Sequence, residues 1–167
     1  TALVVHTSGG SSLSELKSNS KKGVIYFLQT FSKHRTIDFS SIPVCLEAEN
    51  EEDLKLLSEL TSEISKSIYV VNSEQRQRLH LAAVFVNNFA NVMYKIGNDI
   101  CSNTNVPFDI LKPLILETAS KIGEISPYEA QTGPAKRNDT KTIVKHKKLL
   151  DKNQKEIKKL IQDELIK

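Results

Sequence analysis

The run from His6 to Gly10, His-Thr-Ser-Gly-Gly, directly follows a strand-like stretch of this 167-residue sequence. Ligands of open α/β sheets lie outside the carboxyl ends of the strands, and a Ser-Gly-Gly turn can direct backbone N–H groups at an anion or a carbonyl oxygen. The run therefore predicts a ligand-binding turn, with a plain tight turn as the alternative. Its candidate binding residues are His6, Thr7, Ser8 and Gly9.

Two further polar segments could bind a small ligand. Gln29 and Thr30 follow the next strand-like run, and their uncharged side chains can hydrogen-bond a ligand, although a solvated loop has the same composition. Gln131, Thr132 and Arg137 belong to a later loop, in which the planar guanidinium of Arg137 suits a carboxylate or a phosphate. We take all five as candidate substrate-binding residues.

His80 is the candidate for acid–base catalysis, because histidine gains and loses a proton near neutral pH. On an ideal helix it shares a face with Asn87, about 10 Å further along the axis. A lone histidine on a buried helix is more often a structural residue bonded to a backbone carbonyl, so both alternatives stay open.

The helix that would position His80 is predicted to run from Ser73 to Thr104. Only four residues between Leu81 and Gly97 are clearly polar, and Ser73 is a candidate N-cap. A helix that is apolar on nearly every side must be covered on nearly every side, so we expect it in the middle of a helical domain or at a subunit interface.

Polar residues of this helix share one side. At about 100° per residue they occupy an arc of roughly 60°. Buried polar groups need partners, so this polar stripe predicts a second chain segment, ordered water or a ligand beside it. The polar stripe comprises Arg76, His80, Asn87, Asn91, Tyr94 and Asn98.

Residues 1–72 alternate short β-branched runs with polar or helical connections, which indicates an α/β layer with both sheet faces covered. Asn50 is the candidate N-cap of its main helix. The predicted strands are Ala2–His6, Gly23–Leu28, Pro43–Ala48 and Ser67–Val71, with a helical turn at Leu13–Lys17 and a helix at Glu51–Ile64.

Residues 73–167 are predicted to be all-helical, with the boundary near Asn72. A bend or break is expected at Pro113. Asn138 or Asp139 is a candidate cap of the helix that begins there. After the central helix we expect a helix at Val106–Ile122, a loop at Gly123–Arg137, a helix from Asn138 to Lys152 and a terminal helix through Leu160, Ile161 and Leu165.

The composition indicates a globular chain, with 39% hydrophobic residues, no membrane-spanning run and no signal-peptide pattern, so we expect a cytoplasmic protein. Cys45 and Cys101 show no metal-ligand spacing, and we predict neither a metal nor a disulfide.

The net charge of +3 owes much to a Lys-rich C-terminal end, for which a solvated helix face is the ordinary explanation, so no nucleic-acid partner is expected. The chain begins at Thr1 and its only Met is Met93, so we expect the later part of a longer polypeptide.

Five motifs in this order resemble one family. They are HTSGG at 6–10, YFLQTFS at 26–32, IPVCLEA at 42–48, QRLHLAAVFVNNF at 77–89 and QTGPAKRND at 131–139. Together they resemble the Rossmann-like oxidoreductases of the pyrroline-5-carboxylate-reductase-like type that carry a C-terminal domain of unknown function. The resemblance extends over essentially the whole chain.

This resemblance implies an α/β fold followed by an all-α region. Residues 1–72 would be the last strands of a Rossmann-like domain that binds NADP or NAD, and residues 73–167 a helical domain like the C-terminal domain of 6-phosphogluconate dehydrogenase, which pairs into a homodimer. The family's nucleotide fingerprint belongs to its first βαβ unit, and no GxGxxG motif occurs here. We therefore expect dinucleotide binding to be lost or weakened in this form.

The resemblance also bears on the proton donor. Related β-hydroxyacid dehydrogenases carry a catalytic Lys in a Lys-x-x-Asn-Asn pattern; here Asn87 and Asn88 match its second half, while Val84 occupies the Lys position. His80, one turn earlier, is the residue that could take over proton transfer to a small keto or imino substrate, with His6, Thr7 and Ser8 beside the cofactor. The alternative is a non-catalytic NADP-binding or dimeric scaffold protein, in which the polar stripe is a buried interface network.

Overall fold

The structure, a computed structural model, describes residues 2–150 and residue 154. The chain divides into two compact units, Thr1–Met93 and Tyr94–Lys167. The change from alternating strands and helices to helices alone falls at Asn72, whereas the units divide after Met93. The predicted terminal helix through Leu160, Ile161 and Leu165 lies outside the described residues.

A four-stranded mixed sheet forms the centre of the first unit. Its strand order is β1-β2-β3-β4, in which β1 and β2 are parallel, β2 and β3 antiparallel, and β3 and β4 parallel. The four predicted strands are confirmed, with ends that differ by one or two residues. They are β1 Leu3–His6, β2 Lys21–Phe27, β3 Val44–Ala48 and β4 Ile68–Val70.

Helix α1, Glu51–Ser62, covers one face of this sheet. Asn50 caps it as predicted, since its side chain accepts a hydrogen bond of 2.9 Å from the Asp53 amide. Leu57 of α1 packs against the buried cluster of Ile25, Val44 and Leu46. Burial of such side chains stabilises the fold by about 1.5–3 kcal/mol each.

Helix α2, Ser73–Ala83, contacts the opposite face. Side chains alternate along a strand, so the residues of β2 and β3 that do not face α1 project towards this side. They include two directly paired positions, Tyr26 with Cys45 and Val24 with Glu47. Two polar residues of this face, Tyr26 and Glu47, meet His80 and Arg76 of α2.

The start of α2 differs from the predicted one. Asn72, not Ser73, is the N-cap: its side chain accepts from the Gln75 amide at 2.9 Å, and the Gln75 side chain accepts from the Asn72 amide at 2.9 Å. This reciprocal capping box satisfies two amide groups at the helix start. It leaves the Ser73 hydroxyl free to bind other segments.

The predicted long helix is present as three consecutive segments. Helix α2 passes into a π-helical turn at Val84–Phe89 and then into helix α3, Ala90–Ser102. A π-helical turn holds more residues per turn than an α-helix, so the arc of the polar stripe, predicted for an ideal helix, does not continue unchanged past Val84. Such turns are frequent at functional sites.

Burial of residues 81–97 within the chain, expected from their composition, is not observed. Several large apolar side chains of this stretch are exposed in the single chain, most of them in the π-helical turn and in α3. A second copy of the chain as the cover stays a prediction. The exposed side chains include Leu81, Phe85, Val86, Phe89, Val92 and Met93.

The second unit is helical in its described part. A 3₁₀ turn at Phe108–Leu111 leads into helix α4, Lys112–Lys121, so Pro113 occupies the first turn of a new helix, where a missing amide proton costs nothing. Helix α5, Thr140–Leu149, is capped by Asp139, which accepts from the Thr142 amide at 3.0 Å. None of the helices in the described residues is long and apolar enough to cross a membrane.

Candidate functional site

A buried ion pair joins α2 to the sheet. The Arg76 side chain has no solvent exposure, and its guanidinium donates to the Glu47 carboxylate at the end of β3 and to the backbone oxygen of Ser11. Glu47 also accepts from the amide and the hydroxyl of Ser73, each at 2.9 Å. A buried charge is costly unless it is paired and hydrogen-bonded, and here it is both.

The same cluster holds the turn that follows β1. The Leu13 amide donates to the Ser73 hydroxyl at 2.9 Å, and the Gln77 side chain donates to the Gly10 carbonyl at 3.1 Å. Within the turn, the Ser11 amide donates to the Ser8 hydroxyl at 3.1 Å. The turn at residues 8–13 is therefore bound along its length to the first two turns of α2.

His80 lies one helical turn beyond Arg76 and contacts Tyr26 of β2. Its Nδ1 is 3.1 Å from the Tyr26 hydroxyl, and the two rings meet edge to face with centroids 5.9 Å apart. Burial raises the pKa of Tyr26 above its ordinary value, and the Cys45 thiol beside it acts in the same direction. Tyr26 is therefore a neutral phenol at physiological pH, able to donate to or accept from the imidazole.

Gly9 brings the turn against this pair. A Cβ at Gly9 would lie 2.7 Å from both His80 Nδ1 and Tyr26 Cζ, closer than a Cβ carbon approaches a non-bonded atom. At Gly10 the corresponding atom would meet His80 Cδ2 at 3.8 Å, an ordinary contact. Only glycine at position 9 lets the turn, the imidazole and the phenol meet.

A cleft of about 320 Å³ opens beside His80. It lies between the end of β2 with the residues after it and the segment from α2 into the π-helical turn. One wall is mostly apolar, from side chains such as Leu79, Ala83 and Val84, and the other groups offer hydrogen bonds. The polar lining residues are Tyr26, Gln29, Thr30, His80, Asn87 and Asn88.

Asparagine amides form a short chain at the helical wall of the cleft. Asn87 donates to Asn88 at 3.3 Å, and Asn91 donates to Asn87 at 3.5 Å. The π-helical turn places consecutive residues 87 and 88 on the same cleft, which an α-helix of 3.6 residues per turn does less well.

Among residues 2–150 and 154, no group of three or more His, Cys, Asp or Glu side chains could hold a metal ion.

Several residues predicted from the sequence come together here. Ser8 and Gly9 lie in the turn bound to α2, and Gln29, Thr30, Asn87 and His80 line the cleft.

His6 and Thr7 flank the start of the turn. His6 is partly buried, and its Nδ1 accepts from the Ser8 amide at 3.2 Å, while Thr7 is exposed. Gln131, Thr132 and Arg137 are exposed residues of the second unit, in the segment before α5, and their substrate-binding role stays a prediction.

Sequence reasoning missed three residues of this site: Tyr26, Glu47 and Ser73. Tyr26 and Glu47 belong to strands whose faces alternate, and the sequence pattern did not show which face would meet α2. A usable signal was present. The stripe residues Arg76 and His80 are polar groups separated by one turn, and the two central strands carry an acidic residue, Glu47, and a phenol, Tyr26, on one face.

Removal of one member of the ion pair should strongly destabilise the protein. We expect Arg76→Met to lower the free energy of unfolding by about 3–5 kcal/mol, because Glu47 is left as an uncompensated, largely buried charge. The matched control is Arg78→Met, which breaks an exposed pair with Glu74 on the same helix and should cost about 0.3–0.5 kcal/mol. Urea denaturation followed by circular dichroism measures both, and equal losses would contradict the assignment.

Gly9 should not tolerate even one added methyl group. Gly9→Ala forces the imidazole or the phenol to move, and we expect a loss of about 1–3 kcal/mol in unfolding free energy from this overpacking. Gly10→Ala, with its ordinary contact, should stay within about 0.5 kcal/mol of the wild type. Thermal unfolding of the two variants side by side checks the difference, and a harmless Gly9→Ala would show that the turn does not press on His80.

Comparisons with known proteins agree on the fold. Residues 42–164 match a family described as a domain of unknown function, DUF2520. The chain matches the crystal structure of a "putative NADP oxidoreductase", BF3122 from Bacteroides fragilis, with a TM-score of 0.93 and 41% identity over 99% of its length. It spans 65% of the length of that protein.

A second crystal structure, of protein TM1727 from Thermotoga maritima, matches with a TM-score of 0.75 and 22% identity. The match covers 98% of this chain and 68% of that one, and at this identity it shows the fold alone. No curated protein matches the sequence. The mixed sheet followed by helices is thus an α/β Rossmann-like fold of the NADP-oxidoreductase type with a helical region after it. The chain belongs to the DUF2520 family.

Proposed function

We propose that this chain forms the substrate side of an NAD(P)-dependent oxidoreductase of the pyrroline-5-carboxylate-reductase-like type, which transfers hydride to a C=O or C=N bond of a small keto or imino substrate. One observation carries the proposal: the imidazole of His80, hydrogen-bonded to Tyr26, stands at the wall of an open cleft lined with uncharged polar groups. The 41% identical protein named as a putative NADP oxidoreductase supports the reaction class.

His80 is the proposed proton donor. In the protonated imidazole both nitrogens carry a proton: Nδ1–H donates to the Tyr26 oxygen, and Nε2 has no hydrogen-bond partner within the described part of the chain. Addition of hydride to a carbonyl or an imine leaves a negative charge on the substrate oxygen or nitrogen, which the Nε2 proton neutralises. The ring is then neutral, with its remaining proton held at Nδ1 by Tyr26.

Tyr26 acts through His80 in this proposal. Burial raises the pKa of the phenol, so its oxygen stays a neutral hydrogen-bond partner and does not compete as an anion for the imidazole proton. The backbone at Gly9 packs closely against the same imidazole. Tyr26 is therefore a positioning residue, and Gln29, Thr30 and Asn87 are the proposed hydrogen-bonding partners of the substrate.

The residues after β1 fit one end of a nicotinamide cofactor. His6 Nδ1 accepts from the Ser8 amide, so neutral His6 carries its proton at Nε2, which is buried and has no partner within residues 2–150. This proton suits a carboxamide oxygen, and we propose that Thr7 and Ser8, the next residues of the chain, also contact the cofactor. A nicotinamide bound there supplies the hydride. The GxGxxG turn that binds a pyrophosphate does not occur in this sequence.

We further propose that a second copy of this chain covers the exposed apolar side of the central helix. Leu81, Phe85, Val86 and Phe89 are each between 46% and 76% exposed, and Phe85 and Phe89 stack edge to face at 4.8 Å on the surface. Large contiguous apolar patches on a surface mark interaction sites. A homodimer would remove these side chains from water.

Activity should depend on His80. With the complete protein and NADPH, we expect His80→Ala to lower kcat for a keto or imino acid by about 10²–10⁴ because the proton donor is lost. Tyr26→Phe should lower kcat less and shift the pH profile, since the imidazole is kept and only its partner is removed.

His146→Ala, at an exposed histidine of α5, is the matched control and should retain full activity. NADPH oxidation over a panel of keto acids and imines measures all three variants. Wild-type activity in His80→Ala would refute the assignment. NADPH binding without turnover of any substrate would favour the non-catalytic scaffold instead.

Oligomerisation should depend on the exposed helix. We expect Phe85→Lys to weaken self-association by about tenfold or more, because a charge would enter the apolar interface. Leu60→Lys is the matched control, since Leu60 of α1 is exposed to a similar extent, 57% against 59%. Sedimentation equilibrium decides the point, and a wild-type protein that is monomeric at high micromolar concentration would overturn the proposal.

A further inference from the structure

A second cleft, of about 270 Å³, adjoins the cleft beside His80. The two share Gln29 and Thr30 as a common wall. The second cleft lies entirely within the connection between β2 and β3, and its lining is mostly polar. Its lining residues besides the shared pair are Ser32, Arg35, Thr36, Ile37 and Asp38.

Aromatic contacts hold this connection in shape. Phe39 stacks on Phe31 with centroids 5.9 Å apart and meets Phe27 of β2 edge to face at the same distance. The Leu28 amide donates to the Pro43 carbonyl at 2.9 Å, which closes the base of the connection. The cleft is thus framed by a segment that is tied to the sheet at both ends.

Arg35 is the cation of this cleft. Its guanidinium makes no ion pair or hydrogen bond with any described residue. Asp38, the acidic residue of the lining, has both carboxylate oxygens occupied, by the Ser40 amide at 2.9 Å and the Ser40 hydroxyl at 2.8 Å. Those hydrogen bonds cap the 3₁₀ turn Phe39–Ser41, and they lower the pKa of Asp38. A planar guanidinium without a partner suits a carboxylate.

We propose that the second cleft binds the carboxylate of an anionic substrate through Arg35, while the keto or imino group of the same molecule lies in the first cleft beside His80. The substrate class would then be small keto or imino acids, with Gln29 and Thr30 contacting the atoms between the two groups. This inference rests on the proposed function. It adds to that function a named binding residue for the carboxylate, Arg35.

Binding tests the inference without turnover. Amide shifts of the full chain are followed by NMR while pyruvate, its neutral methyl ester or inorganic phosphate is added. We expect Arg35→Gln to weaken pyruvate binding by about tenfold, the value of one lost charge-assisted hydrogen bond, and to leave methyl pyruvate unaffected. Arg35→Lys should fall between, because an ammonium keeps the charge and loses the planar fork.

Lys33→Gln is the matched control, because it removes the same charge from the same segment at a residue that does not line the cleft. Equal pyruvate binding by wild type and Arg35→Gln would overturn the inference, as would an equal loss in Lys33→Gln. The inference would also be overturned if phosphate bound more tightly than pyruvate and this binding were lost in Arg35→Gln. The ligand group of the cleft would then be a phosphate and not a carboxylate.

Turnover separates this inference from the proposed function. In the complete protein with NADPH, Arg35→Gln should raise KM for the keto acid about tenfold and leave kcat unchanged. Turnover of the neutral ester should be the same in Arg35→Gln and in the wild type. A fall in kcat with KM unchanged would contradict a substrate-anchoring role. If no keto or imino compound is reduced, the proposed function fails, and the NMR titration still decides whether Arg35 binds a carboxylate.

Discussion

The arrangement of the site depends on the buried ion pair between Arg76 and Glu47. Two charges taken out of water gain little net stability, because desolvation offsets most of their attraction, but either charge alone would be very costly. The pair therefore acts chiefly by excluding other positions of α2. In the observed position of the helix, Arg76 donates to Glu47 and to the backbone oxygen of Ser11, and the Ser73 amide donates to Glu47.

That position decides where His80 lies. His80 follows Arg76 by four residues and so shares its face. Tyr26 lies on the same face of β2 as Val24, the partner of Glu47, and two residues beyond it. The same hydrogen bonds draw the turn after β1 against the helix, and this brings Gly9 to the imidazole. Beyond Ala83 the π-helical turn changes the helical periodicity and presents consecutive asparagines to the cleft. The ion pair at the start of α2 and the cleft at its end therefore both depend on the same position of this helix.

Local features of this fold could be predicted from the sequence, and long-range features could not. Strand positions and the Asn50 cap follow from β-branched runs and capping chemistry, which act over a few residues. The start of α2 was misplaced by one residue, because Asn72 and Ser73 are both good caps and only the contact of Ser73 with Glu47 distinguishes them. Tyr26 was missed for a related reason: its role depends on which face of β2 receives a helix distant in sequence. Burial of residues 81–97 was predicted from composition, which shows that a surface must be covered but not whether the same chain covers it.

The most direct test of this account is the state of the His80 imidazole when the ion pair is broken. Two-bond ¹⁵N–¹H correlation NMR of the folded protein reports on each ring nitrogen separately. We expect a hydrogen-bonded Nδ1 in the wild type and loss of that signature in Glu47→Gln, measured where circular dichroism shows the variant to be folded. An unchanged Nδ1 signature in Glu47→Gln would show that His80 is held against Tyr26 without the ion pair, and would contradict the account.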